Sequence, residues 1–213
     1  MSCSREKPTI TNNKEEAPLQ YYLRKFAALD PGARAATLGI RYETGTFYLE
    51  FYGMPQEVRW PDGRILSPRE DALTNRYASA RILLLRYLVE GMAIPGTGKS
   101  LPFLQLPWGA VYLKTFDGRC IKRSAFKFGT NIEEFRQAAA ALGGTPSDHG
   151  DAAFIFPVVP GYTLEMIVWE GDDEFPPSAQ ILFSDNFAVG FTAEDSVVAA
   201  ELLISMLGNA MQR

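Results

Sequence analysis

Four carboxylates crowd into one short stretch, Trp169-Glu170-Gly171-Asp172-Asp173-Glu174-Phe175-Pro176-Pro177-Ser178, between an indole and a pair of prolines. Clustered oxygen ligands can hold a hard divalent cation, with Asp172 and Glu174 as the first metal candidates, and clustered negative charge can dock a basic protein partner or a small cationic ligand. The competing reading is a solvated loop whose prolines protect a sheet edge, which composition alone favours because runs of charge are usually exposed. Trp169, Phe175 and, from a separate loop, Trp108 add aromatic contact area. With Glu170, Asp172, Asp173 and Glu174 they form the candidate binding residues.

Three further groups bear on chemistry. His149, the sole histidine, lies between Asp148 and Asp151, which could orient it as a general base. No nucleophile stands beside it in sequence, so a solvated loop histidine is the favoured reading. Cys120 has Arg119, Lys122 and Arg123 as neighbours, a setting that favours a thiolate on an exposed cysteine; a buried, inert thiol is the alternative. Ala93-Ile94-Pro95-Gly96-Thr97-Gly98-Lys99-Ser100 matches a relaxed nucleotide-binding loop. Such a loop needs a strand leading in and a helix leading out, so that backbone amides point at the phosphates. Here a helical pattern leads in and a proline-bounded segment leads out, which argues against phosphate binding.

Composition narrows the partners. A formal net charge of −4 and 46% hydrophobic residues describe a chain that folds but has no field to attract phosphate backbones. Nucleic acid is therefore not an expected partner. The longest apolar run, Ile82 to Ile94, is interrupted by Arg86 and Glu90 and falls short of the ~20 residues a bilayer span needs, so no membrane segment is expected. Cys3 and Cys120 are too far apart for a zinc or cluster motif, and the amino-terminal stretch has no apolar core for a secretory signal, so a cytoplasmic location is expected. No cofactor, and no oligomeric state, is legible.

The elements that must position these groups read as follows. Residues 1–17 are expected to be a disordered polar tail and residues 18–213 a single α+β domain. Leu19, Tyr22, Leu23 and Phe26 fall at helical spacing, and Asp30-Pro31 opens a second short helix that ends at Gly39. Ile40 to Phe51 alternates as a hairpin turning at Thr44-Gly45, with a third strand over Glu57 to Trp60. Ser67-Pro68-Arg69-Glu70 reads as a capping box that starts a central helix of roughly 23 residues, about 35 Å, ending at Gly91. Residues 93–109 carry enough Pro and Gly to predict a loop. Ala110 to Phe128 fits either a hairpin at Asp117-Gly118 or a helix, and the helical face is preferred. Asn131 is expected to cap a helix to Leu142; strands follow at 152–158, 163–169 and 179–183; Thr192 caps a last helix to Gly208. The fold class is α+β, with a mixed or antiparallel sheet packed by several helices. A connection as short as the acidic stretch predicts antiparallel flanking strands and leaves Asp185 at the far end, out of its reach.

Several runs also resemble a domain-of-unknown-function family, numbered 3786, from anaerobic bacteria and archaea. They are Gly150-Asp151-Ala152-Ala153, Pro157 to Pro160, Val168 to Ser178, Ile181-Leu182-Phe183 and Thr192 to Asp195, with weaker likeness over Leu83 to Leu88 and the Gly96 loop. Some members of that family are joined to a cysteine-rich iron–sulfur module. The resemblance therefore implies an accessory role in anaerobic metabolism. The residues themselves, aromatic and acidic groups together with no recognisable nucleophile, base and oxyanion set, favour a non-catalytic binding protein whose loops at Pro95 to Trp108 and Trp169 to Pro177 form one recognition surface. The alternative is a divalent-cation-dependent hydrolase or transferase built on the acidic stretch, with His149 or Lys99 nearby.

Overall fold

Asp30 shows how local chemistry sets the architecture. In the structure, a computed structural model that describes residues 13–212, its carboxylate accepts the Ala33 N–H at 3.0 Å and Pro31 occupies the first turn. Helix α2 (Pro31–Leu38) then stops at Gly39, whose φ of 62° is a left-handed value that favours glycine. Helix α1 (Asn13–Ala27) begins at Asn13, ahead of the expected boundary at residue 18. Residues 1–12 of the expected tail lie outside the described residues.

A four-stranded antiparallel sheet follows, ordered β1 (Arg41–Glu43), β2 (Thr46–Phe51), β3 (Met54–Arg59) and β4 (Ile65–Leu66). Alternation sets its faces: Phe47, Leu49, Phe51 and Val58 are buried, while Glu50 and Glu57 face outward.

The central helix departs from expectation. No helix starts at Pro68. Instead Arg69 makes a two-point bond to Asp71 at 2.9 Å through each nitrogen, and Asn75 Nδ2 donates to the Arg69 carbonyl, holding a turn where the capping box was expected. Ser67 Oγ accepts from Gln56 of β3, so its oxygen serves the sheet as well as the turn. A short helix α3 (Leu73–Arg76) breaks at the extended Tyr77, and α4 (Ala78–Glu90) carries the apolar run. Side chains that hydrogen-bond locally outside a helix have outcompeted the helical start.

Residues 93–109, expected to be irregular, contain β5 (Ser100–Pro102) and a 3₁₀ turn at Phe103–Gln105. The ambiguous stretch resolves as helix: α5 (Gly109–Phe116), one π-helical turn at Asp117–Ile121, and α6 (Lys122–Phe128). Helix α7 (Ile132–Ala141) lacks the expected cap, for the Asn131 side chain makes no bond to its amides. The second sheet is antiparallel throughout, in the order β5, β9 (Ser178–Ser184), β8 (Tyr162–Trp169), β7 (Ala152–Val159), β6 (Thr145–Ser147). Strand β6 was not anticipated. After a short helix α8 (Phe187–Gly190), helix α9 (Ala193–Ala210) is buried around most of its circumference and shares the centre with α4. The result is a single α+β fold, as the order of elements implied.

One sheet face and the helices share an apolar core. Leu164, Met166 and Val168 of β8 and Phe154, Phe156 and Val158 of β7 point to the same side as Ile181 and Phe183 of β9. Phe183 stands against Phe103, Phe116 and Phe187, which anchors the 3₁₀ turn, α5 and α8 to one strand. Each such aromatic removed from water contributes on the order of 2 kcal/mol.

Caps that are made and caps that are missing should differ measurably. Thr192 and Asp195 complete a reciprocal capping box on α9. Thr192→Ala is expected to lower stability in urea titrations by about 1–2 kcal/mol, whereas Asn131→Ala should stay within about 0.5 kcal/mol. Equal losses at the two positions would contradict this assignment.

Candidate functional site

The acidic stretch is a turn that spends its polar groups on itself. Asp172 Oδ1 accepts the amides of Glu174 at 2.8 Å and Phe175 at 2.7 Å, and the Asp172 amide donates to the Phe175 carbonyl at 2.9 Å. Those two amides hold the Asp172 carboxyl below its ordinary value. The Glu170 amide donates to Asp151 at 2.9 Å, and the Gly171 amide to the Gly129 carbonyl. Gly129 is needed there, since a Cβ on it would approach Pro177 Cβ to 2.6 Å and the Trp169 carbonyl to 2.8 Å. The turn is thus packed at its base and open at its tip. Glu170, Asp172, Asp173, Glu174 and Phe175 are all exposed. Strands β8 and β9 are antiparallel, with Trp169 opposite Ser178.

The expectation that this turn and the Pro95 to Trp108 loop form one surface is not met. The turn enters β9 at Ser178, whereas Asp185, just past the other end, accepts the Thr97 amide at 3.0 Å and the Thr97 hydroxyl. Seven residues of strand separate them, on the order of 20 Å. The same geometry disposes of the nucleotide-binding motif. A β-strand, β5, leads out of it, and the Lys99 carbonyl is bonded to the Asp185 amide. No helix N-terminus follows the loop to gather a phosphate.

His149 has a partner the sequence reading did not supply. Its Nδ1 lies 2.7 Å from Glu165 Oε1, and Ser147 Oγ donates to the same oxygen at 2.5 Å. Asp148 and Asp151, the carboxylates that could have oriented the ring, are not the groups bonded to it, although the Asp148 charge acts on it. Glu165 is 3% exposed, in the middle strand of the large sheet, while the His149 side chain is 59% exposed. The hydrogen bond from Glu165, then its charge, raises the imidazole above its ordinary value. Ser147 bonds the carboxylate and not the imidazole, so the three do not form a nucleophile–base–orienter relay. Cys120 is buried beside α9 with its Sγ near the Val197 carbonyl, and burial pushes the thiol up to about 12. The basic neighbours do not make it a thiolate. Among the described residues, no group of three or more His, Cys, Asp or Glu side chains is placed to hold a metal ion; Asp172 and Glu174 do not converge with others.

Trp108 stands in a different setting. It precedes α5 with a φ of 64°, a left-handed conformation uncommon for a bulky residue, and 74% of it is exposed. It borders a cleft of about 330 Å³ shared with Val189 of α8, Thr192 and Ser196 at the start of α9, and Arg86 and Glu90 of α4. The floor is rigid. Arg86 pairs with Asp195 at 2.9 Å and with Glu90 at 3.4 Å, Lys25 reaches Glu90 at 2.8 Å, and Thr192 Oγ1 donates to Asp195 at 2.6 Å. Burial raises the Asp195 carboxyl, against the pull of Thr192 and Arg86. Leu106, Pro107 and exposed Val189 add hydrocarbon to the lining, and Leu104, Val111 and Tyr112, within four residues of Trp108 in sequence, are also exposed. Exposed Met92 and Ile94 are held beside α8, their carbonyls accepting from Tyr162 and Asn186. The signals in sequence were an arginine interrupting an apolar helix and a glutamate inside a β-run; neither reveals its partner.

The fold and these surfaces define an α+β protein with an exposed tryptophan at the rim of an ion-paired cleft. The chain belongs to the family described as a domain of unknown function (DUF3786), matched over residues 30–206. That span holds the acidic turn, the His149–Glu165 pair and the Trp108 cleft. No curated protein and no solved structure matches the chain. Among the described residues, no helix is long and apolar enough to cross a membrane.

The single histidine makes its pairing directly measurable. Because its folded value is raised, the pair's contribution to stability is complete below pH 6.5 and is lost as pH rises through the raised value. The imidazole proton resonances are expected to titrate with a midpoint above 6.5, and Glu165→Gln to return it toward 6.5. A midpoint unchanged by that substitution would show that Glu165 does not hold the ring.

Proposed function

We propose that this protein is a non-catalytic accessory protein of anaerobic metabolism, working in the cytoplasm, that docks a protein partner through the face around Trp108. The observation that carries the reading is the cleft at Trp108: a largely exposed indole in a left-handed backbone conformation, lining it with Leu106, Pro107 and Val189 next to an Arg86 that Asp195 holds in place. Large apolar side chains gathered on a surface mark interaction sites, and tryptophan next to a preformed cleft is the commonest kind of binding anchor. A left-handed tryptophan is strained, and strain of this kind concentrates where function requires it. The resemblance to a family in which some members are joined to an iron–sulfur module supports a role beside a redox partner.

The acidic turn is a poorer site for either a basic partner or a cation. Asp172 already serves two amides, and the neighbouring carboxylates are exposed at the tip. This weighs against the divalent-cation-dependent hydrolase or transferase, which needs several carboxylates converging on one point.

The test is a comparison of tagged variants in extracts of an anaerobe. Trp108→Ala and Val189→Asp are expected to lose the partner that the unaltered protein retains, with affinity lower by roughly 30-fold or more, as for the loss of a central aromatic anchor. Asp172→Ala with Glu174→Ala should keep it. The reverse pattern would transfer the site to the acidic turn. Sedimentation showing that Trp108 mediates self-association would replace the accessory reading with a homodimer.

A further inference from the structure

A cleft larger than the one at Trp108 lies far from it in sequence and belongs to the small sheet. It is a cleft of about 780 Å³ over the outward face of β2 and β3, a volume in the range of small-molecule sites. Register explains its lining. Arg41 lies opposite Tyr48, Tyr48 opposite Glu57, and Glu50 opposite Pro55, so all of these side chains share the face turned away from the core. Ile40, Leu66, Pro68 and Pro160 wall the cleft with hydrocarbon.

Its charges are unbalanced. Arg41 is already engaged, its guanidinium 3.8 Å from the centre of the Tyr48 ring and bonded to Glu43 at 3.1 Å. Glu50 and Glu57, both exposed, have no cationic side chain within bonding distance among the described residues. They are diagonal neighbours across the β2–β3 pair, so both carboxylates open onto one face. An apolar wall beside two uncompensated carboxylates complements a molecule with a hydrophobic body and a positive head. The expectation of a small cationic ligand, raised first by the acidic turn, has a concave site here that the turn does not offer.

We infer that this cleft binds a small organic cation, an amine or guanidine on an aromatic or aliphatic body, with the head between Glu50 and Glu57 and the body against Ile40, Leu66 and Pro68. Charge-assisted hydrogen bonds to the two carboxylates supply selectivity for charge, and burial of the body supplies affinity. This site is independent of the Trp108 face, and its failure would leave the docking proposal standing.

Three probes that differ only in the head group provide the test: 4-phenylbutylamine, 4-phenylbutanol and 4-phenylbutyrate, titrated into the full chain with amide chemical shifts recorded. The amine is expected to perturb β2, β3 and Leu66, to bind about tenfold or more tighter than the alcohol, and to leave the butyrate without effect. Glu50→Gln with Glu57→Gln should bring the amine down to the level of the alcohol and leave the alcohol unchanged. Both positions are exposed, so the double variant is expected to fold, and Leu66→Trp offers a second variant that fills the cleft and should block amine and alcohol alike. Equal binding of amine and butyrate, shifts mapping elsewhere, or full retention in the glutamine variant would overturn the proposal. Calcium chloride alone reproducing the shifts would also overturn it, in favour of an inorganic cation.

Discussion

The contact on which most of this structure depends is the ion pair between Arg86 and Asp195. It joins α4 to the first turn of α9, the two helices at the centre, and Asp195 is at the same time half of the capping box with Thr192. One carboxylate therefore ends a helix, balances an arginine and fixes the floor of the cleft beside Trp108. Burial opposes its ionisation while the threonine and the guanidinium support it. Breaking a part-buried pair of this kind leaves an uncompensated charge, which is why such a pair specifies geometry even where its net contribution to stability is small.

A second constraint is β9. Its register places Asp185 next to the Thr97 loop and Ser178 next to the acidic turn, so one strand holds the two candidate loops apart. Phe183, from the same strand, carries the 3₁₀ turn, α5 and α8 on one aromatic cluster. The Trp108 face is thus presented by elements tied to the core. The acidic turn is fixed only at its base, by Gly129, Pro177 and Asp151. A rigid apolar surface loses little entropy on binding, and this physical difference ranks the two sites.

What was legible in the sequence follows from the range of the interactions involved. Asp30 with Gly39, Thr192 with Asp195, and the alternation of β2 are set within a few residues, and each formed as read. The preference for helix over hairpin at Asp117-Gly118 also held, because the apolar stripe of Cys120, Ser124 and Phe128 outweighs one turn dipeptide. Ser67-Pro68-Arg69-Glu70 misled because a capping box competes with alternatives several residues away. Asp71 and Asn75 offered Arg69 a turn, and Gln56 drew on the serine oxygen. The His149–Glu165 pair, the Arg86–Asp195 pair and the cleft over β2 and β3 join residues that only the fold brings together. Composition pointed instead to the densest run of charge, which proved to be a self-bonded turn. Trp108 was named among the binding residues, but its neighbours were not.

The central claim is that the indole of Trp108 stands in water in the isolated protein and becomes covered when the partner binds. Replacing Trp60 and Trp169 by phenylalanine leaves Trp108 as the only indole, and its fluorescence can then be followed as the captured partner is added. The account predicts red-shifted emission, readily quenched by iodide, that moves to the blue and becomes shielded at saturation. Emission already blue and shielded in the isolated protein, or unchanged when the partner is bound, would contradict it.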